Sequence, residues 1–439
     1  MVTTLRRSAA SRCSASTETR ERSVHGAGAR EVVGSRRHRR AFWAVAFAFL
    51  AVMAFASVPS PLYGLYRARD HFSLFMVTVA FAVYAVGVIG ALLLAGHISD
   101  WYGRRRVLLP ALGIAIASAL VFVSSKSLAG LLTARVLNGI SVGMVASTAT
   151  AYLAELNAAG RPGAPPERAQ LTSSAINVGG LGVGALVAGC LAQWVAHPLT
   201  VPYLVFLVAL VLGAIGVALA PETREGPKPR PRYRPQRLSV PGAERSRFFA
   251  AALSAFVAFA TVGLFSGLAG VFLSETLHQP SHAVAGAVLC AMFSASVGAQ
   301  FLTVRWPFNR DFEVGMGAMV IGLGLAVLAV WVRPPSLALF IAGGVLLGGG
   351  AGAIFKGAMG TVMAISSPDR IAESVAGMLL AAFVGLSLPV VGAGITLARQ
   401  VSPKVTILGF AIAVSVGIVA SVLELAGGPN AQAPAPRWR

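Results

Sequence analysis

The chain has 439 residues, of which 56% are hydrophobic and only 12% charged. A soluble protein of this size covers itself with about twice that share of charge, so the composition excludes an ordinary soluble domain and indicates a bilayer-embedded one. The net charge of +20 does not point to nucleic acid, because the basic residues sit in the N-terminal tail and in connecting segments while the apolar runs are nearly free of charge.

Residues 1–40 are rich in Arg, Ser and Gly. No apolar stretch with a small-residue cleavage site follows, so they read as a disordered basic cytoplasmic tail and not as a secretory signal; an over-extended reading frame is the alternative. About 20 apolar residues cross the hydrocarbon core as a helix. The uncharged stretches 41–66, 71–99, 107–125 and 136–154 each fit one span. The stretch 169–221 fits two, with His197, Pro198 and Pro202 at the turn between them. Six more spans follow from 248–274, 276–304, 314–332, 334–355, 374–398 and 405–423. The expected architecture is an all-α membrane protein of twelve transmembrane helices in two six-helix bundles, 41–220 and 248–426, a layout that internal duplication produces in transporters.

Between the bundles, 221–247 interleaves Lys228, Arg230, Arg232, Arg234 and Arg237 with Pro227, Pro229, Pro231 and Pro235. Proline blocks helix formation and charge blocks burial, so this is an extended cytoplasmic linker. Residues 427–439 form a second tail. With the N-terminus inside, inner segments hold 29 Lys and Arg against 6 in outer ones, which places both termini in the cytoplasm. Cys13, Cys190 and Cys290 have no zinc or disulfide spacing and read as small packing residues.

The sharpest signal follows the second span: Gly96-His97-Ile98-Ser99-Asp100-Trp101-Tyr102-Gly103-Arg104-Arg105-Arg106. Its glycines permit a tight turn, Asp100 suits a helix N-terminus or an arginine, and the arginines hold the loop at the inner headgroups. In the fourth span, Leu131, Arg135, Asn138 and Gly139 read Leu-x-x-x-Arg-x-x-Asn-Gly. An arginine inside a span is costly and is functional or paired; snorkelling to the outer interface is the plainer alternative.

Both segments resemble signatures of the major facilitator superfamily, the second with Asn138 where Gln is commoner. The resemblance implies a twelve-helix transporter in which Gly96, Asp100, Gly103, Arg104 and Arg105 form an inner latch, and Arg135 with Gly139 serves coupling or the conformational switch. Gly180, Gly184, Ala185 and Gly189 in the fifth span partly match the pattern of drug/proton antiporters, with Ala185 in place of its proline. Pro221-Glu222-Thr223-Arg224 resembles the end of the sixth helix in several branches. The segment from Arg305 to Asp311 is a decayed second copy of the first motif, which weakens a sugar-porter assignment.

The 16 acidic residues fall in tails, loops or span ends, so no mid-depth carboxylate is expected to pair with an organic cation or to titrate. That favours a substrate without strong positive charge, held by apolar contacts and by candidates such as Tyr84, Asn138, Ser141, Ser147, Asn177, Ser266, Ser294 and Gln300; ordinary helix-packing hydrogen bonds are the alternative for each. Lys356 follows a glycine run late in the tenth span. If the helix runs on past it, it faces the cavity and binds an anionic group; if not, it anchors at the inner interface. Pro59, Pro61 and Pro389 can bend their helices.

The sequence thus indicates a plasma-membrane secondary transporter, monomeric and without cofactor or metal, whose partners are a small-molecule substrate, protons and lipid. The expected activity is proton-coupled export of a small, partly hydrophobic compound. Uptake of a nutrient or anionic metabolite, and a non-transporting sensor on the same fold, are the alternatives. An enzyme is not expected, because the spans lack His-Glu-x-x-His, paired carboxylates and a Ser-His pair.

Overall fold

In the computed structural model, the described residues are 36–426 without 71, 96–97, 162, 164, 166, 225–234 and 243, and side chains are described to 421. Most of the basic tail, Gly96, the centre of the linker and 427–439 therefore lie outside the described residues. Twelve helices of 19 to 35 residues among them are long and apolar enough to cross a membrane. They are α1 (Arg36–Asp70), α2 (Leu74–Ala95), α3 (Arg104–Ser124), α4 (Leu128–Gly160), α5 (Glu167–Trp194), α6 (Val201–Leu219), α7 (Arg245–Thr276), α8 (His282–Leu302), α9 (Phe308–Trp331), α10 (Leu337–Ile365), α11 (Ile371–Ala398) and α12 (Pro403–Ala426). A short helical turn, Ile98–Tyr102, joins α2 to α3.

The surface is that of a membrane protein. Val208, Leu212, Ile215 and Leu219 form an exposed stripe along α6, at 59%, 55%, 52% and 73% of full exposure. Four large aliphatic side chains on one helical face have no reason to meet water, and every reason to meet lipid. The backbone polar groups are satisfied within the helices, as a spanning segment requires. Three helices that start at the same end of the molecule share a device: Ser127, Ser281 and Ser336 cap α4, α8 and α10 by accepting from Gly130, Val284 and Leu339 N–H. That end is called the far end here; the end bearing the 98–106 turn and the linker is the loop end.

Helices α1–α6 share one apolar core, which Leu386 and Val390 of α11 join, and α7–α12 share another, which Ala185 of α5 joins. The bundles meet through α5 on α8 and α2 on α11. A Cβ at Gly189 of α5 would lie 2.4 Å from the His282 carbonyl oxygen of α8, and one at Gly286 would lie 2.4 Å from that of Ala185. Only glycine allows backbones this close. At the far end Pro59 and Pro61 interrupt α1 with a tight turn at Ser60–Leu62. The last turns, Tyr63–Asp70, then reach the second half, where Arg67 pairs with Glu275. At the loop end the linker touches both halves, Gln236 N–H donating to Leu93 O at 2.7 Å and Ser239 N–H to Glu373 O at 3.5 Å. The two long helices α4 and α10 do not pack on each other.

Helices outrun the uncharged stretches that announced them. Thus α9 begins at Phe308, so Asp311 lies in its first turn and not in a loop, and α10 continues to Ile365, past Lys356. A charge ends an apolar run but does not end a helix, which stops only where backbone or capping forbids another turn.

Between α3 and α4, the Lys126 ammonium donates to Phe122 O and Leu199 O, both at 2.6 Å. Burial, and secondarily the Arg69 charge, pushes it down from 10.5 to about 8. From pH 8 to 10.5 the unfolded chain therefore holds more proton than the folded one, and stability rises with pH. Thermal unfolding across that window should show a steeper rise for wild type than for Lys126→Met; equal slopes would contradict this.

Candidate functional site

Two polar clusters occupy the first half. The loop-end cluster begins with Gly103, whose φ of 101° is open to glycine but strained for other residues. It stands before α3 and leaves the first N–H groups of that helix without intrahelical acceptors. Glu222, just beyond α6, fills the role: its carboxylate accepts from Arg104 N–H at 2.7 Å and Arg105 N–H at 3.1 Å, where the helix dipole favours an anion. A side chain at 103 would strike that carboxylate, 2.6 Å from a built Cβ.

The Arg104 side chain is 6% exposed and joins three elements. It pairs with Asp100 at 2.8 Å and with Glu155 of α4 at 3.0 Å, and donates to Ser99 Oγ at 2.7 Å. Arg224 adds a second pairing to Asp100 at 3.2 Å, and Arg105 donates to Ala220 O at 3.3 Å. Thr223 donates to the other oxygen of Glu155, and Tyr152 to the Pro221 carbonyl. The turn after α2 is therefore bound to the ends of α4 and α6, all within the first half. Asp100, Gly103, Arg104 and Arg105 come together as expected for neighbours in sequence. Glu155 was not singled out, and Glu222 was read only as part of the Pro221–Arg224 helix-end motif; the signal for both was an acid at the end of a span, facing the basic turn.

The second cluster surrounds Arg135, 2% exposed in α4. Its Nε donates to Ala80 O at 3.2 Å and its Nη1 to Ala56 O at 3.0 Å, beside the proline-broken end of α1. The guanidinium carbon sits 4.4 Å from the centre of the Tyr84 ring and 5.9 Å from that of Phe81, a cation–π contact made strong by desolvation. Among the described residues no carboxylate lies within ion-pairing distance of it. One turn on, the Asn138 amide is fully buried with neither its oxygen nor its nitrogen hydrogen-bonded, and the Tyr63 hydroxyl is likewise unpartnered. Gly139 lets α2 and α4 touch, a Cβ there falling 2.1 Å from Tyr84 O. Among the described residues Arg135 is thus a buried cation met by backbone dipoles and two aromatic rings, and it does not snorkel.

The other candidates lie apart. Ser141 donates to Ala111 O at 2.8 Å, which holds α4 to α3; Ser147 bonds within its own helix. Asn177 of α5 and Gln300 of α8 are half-buried. Ser266 is buried with an unpartnered hydroxyl, and Ser294 is exposed. The α10 helix does run on past Lys356, but the ammonium is engaged: it donates to Asp311 Oδ2 at 2.9 Å, to Thr303 Oγ1 at 3.1 Å and to the Thr303 carbonyl. Asp311 is completely buried. Charge counting put Asp311 at the end of the loop after the eighth span; it lies instead in the first turn of α9.

The chain matches the family described as Major Facilitator Superfamily over residues 45–310. It is 30% identical over 89 residues to the arabinose-proton symporter of Bacillus subtilis (strain 168), a match that covers 20% of this chain and 19% of that protein. Among solved structures, it is similar to a mutant of the nucleoside transporter NupG, with a TM-score of 0.67 at 12% identity over 88% of this chain and 99% of that one. It is also similar to the human organic anion transporter MFSD10 (TETRAN), with a TM-score of 0.61 at 17% identity over 88% and 98%. At these identities the likeness to both structures is one of fold.

Proposed function

The chain belongs to the Major Facilitator Superfamily, and from that premise we propose that it is a secondary active transporter that works by alternating access, exporting a small, partly hydrophobic compound in exchange for protons. The two bundles rock about the α5–α8 and α2–α11 contacts, with one substrate path between them. The observation that carries this reading is the cover at the far end, where α1 pairs Arg67 with Glu275, while α4 and α10 make no extended contact. With the basic loop end in the cytoplasm and the protein in the plasma membrane, this is an inward-facing state. The Asp100–Arg104–Glu155 network is then one half of a latch that holds the 98–106 turn to the first bundle in this state and re-engages the second bundle in the other.

Export of a hydrophobic compound is supported by the apolar spans and by the Gly180–Gly189 pattern. A second reading, transport of an organic anion, is favoured by Arg135, a buried cation with no carboxylate partner among the described residues. An anion reaching it removes the cost of an uncompensated charge.

The test is compound-driven proton flux in liposomes under an imposed pH gradient, with lipophilic drugs, sugars and organic anions. Asp100→Asn should leave the protein folded and cut flux at least about tenfold, the loss of roughly 1.4 kcal/mol of latch energy. Flux that ignores the pH gradient would refute proton coupling. Flux with organic anions alone would select the second reading. No flux with any class would favour a sensor on this fold.

A further inference from the structure

We propose that Arg39, Arg161 and Arg168, together with Asn157, form a phosphate-binding site at the loop-end membrane interface. The site is separate from both clusters of the first half, and it does not depend on which compound is transported.

Three helices build it. Arg39 lies in the first turn of α1, Arg161 directly follows α4, and Arg168 lies in the first turn of α5. Gly160, the last residue of α4, lets that helix meet the start of α1: a Cβ there would lie 3.2 Å from Arg39 N and 3.3 Å from His38 Cβ. The three arginines line one small cavity with Asn157, Phe42 and Trp43. Among the described residues none of the three has an ion-pair partner. Glu167, next to Arg168 in the chain, is exposed and does not line the cavity. Like charges gathered on one cavity repel one another, and an anion among them relieves that cost.

The shape of the cavity selects the anion. Asn157 is 6% exposed, and among the described residues its side-chain amide makes no hydrogen bond. A buried amide without a partner is costly, and its NH2 is free to donate to an anionic oxygen. The cavity volume is about 10 Å³, room for about one water-sized group. One phosphate oxygen fits, and the rest of the phosphate stays at the mouth, where planar arginine forks match its geometry. Three arginines and an amide outnumber the two oxygens of a carboxylate, which favours phosphate.

Basic residues at helix ends attract headgroups diffusely wherever they stand; what sets these three apart is their convergence on one buried amide. Trp43 is 59% exposed, with Phe42 edge-on to it at 5.4 Å. An exposed tryptophan near the start of a membrane helix marks the interfacial layer, so the mouth opens at headgroup depth. The phosphate of an anionic phospholipid reaches it from the bilayer, and free phosphate reaches it from water.

The fluorescence of Trp43 reads the site. The full chain in phosphatidylcholine nanodiscs receives phosphatidylglycerol brominated in its acyl chains, and the signal is the emission that Trp43→Phe removes. The salt is about 1 M, so that exposed charges are screened beyond about 3 Å. Half-quenching should need about tenfold less phosphatidylglycerol than brominated phosphatidylcholine, and Arg161→Gln or Arg168→Gln should abolish that preference, the loss of one charge-assisted hydrogen bond. Arg370→Gln, which removes an exposed arginine at the loop end of the second half, should keep it. If the Gln variants do not fold, Arg161→Lys, which keeps the charge without the fork, should still lower the preference. A preference that Arg370→Gln lowers as much as Arg161→Gln does leaves only diffuse attraction and overturns the site. No lipid preference, together with no effect of inorganic phosphate on the Trp43 emission, overturns it as well. Inorganic phosphate that shifts this emission in wild type but not in Arg168→Gln, without any lipid preference, upholds the site with free phosphate as its ligand.

Discussion

Lys356→Met should lower the unfolding free energy by about 3–5 kcal/mol, because it strands a buried carboxylate. Asp311 is 0% exposed and Lys356 is its ion-pair partner, so removing the ammonium leaves both carboxylate oxygens without a donor. The paired substitution Asp311→Asn with Lys356→Met removes the charge along with its partner and should recover most of that loss. The contrast is Arg67–Glu275, whose side chains are 39% and 34% exposed. Arg67→Gln should cost less than about 1 kcal/mol, as exposed pairs do. Denaturant unfolding in micelles, with the four variants of the Asp311–Lys356 cycle, reads this directly. A coupling energy near zero would mean that Asp311 is not held as a buried ion.

Gly189→Val should act on the equilibrium between states more than on folding. The added Cβ meets His282 O at 2.4 Å and Gly286 Cα at 3.2 Å. Backbone cannot swing aside as a side chain does, so α5 and α8 must separate. Overpacking costs about 1–3 kcal/mol, and here the penalty falls on the state in which the far-end turns of the α5–α8 contact, at Gly189 and His282, are closed. A penalty of 1.4 kcal/mol shifts the two-state ratio about tenfold. Thr78, buried against Gly394 between the bundles, reports the shift. In a cysteine-free background, Thr78→Cys should react with a water-soluble thiol reagent about tenfold faster when Gly189→Val is present, and transport should fall by a similar factor. Gly298→Val is the control, since nothing lies within 4 Å of its Cβ. Equal labelling in all three would show that the α5–α8 contact does not gate the far end.

The two clusters of the first half differ in how far a reader of the chain could foresee them. The loop-end cluster was half legible. Asp100, Gly103 and Arg104 are close in sequence, and a positive φ before a helix start asks for glycine. Their partners Glu155 and Glu222 lie 51 and 118 residues away from Arg104, and no local rule connects them. Around Arg135 the buried cation was legible, but its acceptors were not. The carbonyls of Ala56 and Ala80 are available because of where α1 breaks and how closely α2 approaches at Gly139, and backbone carbonyls leave no mark in a sequence.

The sequence by itself determined the class and the number of helices. Long uncharged runs leave a chain nowhere stable except the bilayer, and a backbone in lipid must be helical. It also marked the turn that identifies the family. The tertiary structure decided which charges meet: that Lys356 faces Asp311 and not an open cavity, that Arg135 lies among carbonyls and a tyrosine ring, and that the halves touch through glycines of α5 and α8. The physical reason is range. Hydrophobic length acts along one helix and can be read residue by residue, whereas ion pairing acts over a few ångströms between helices whose register is set only when the whole bundle packs.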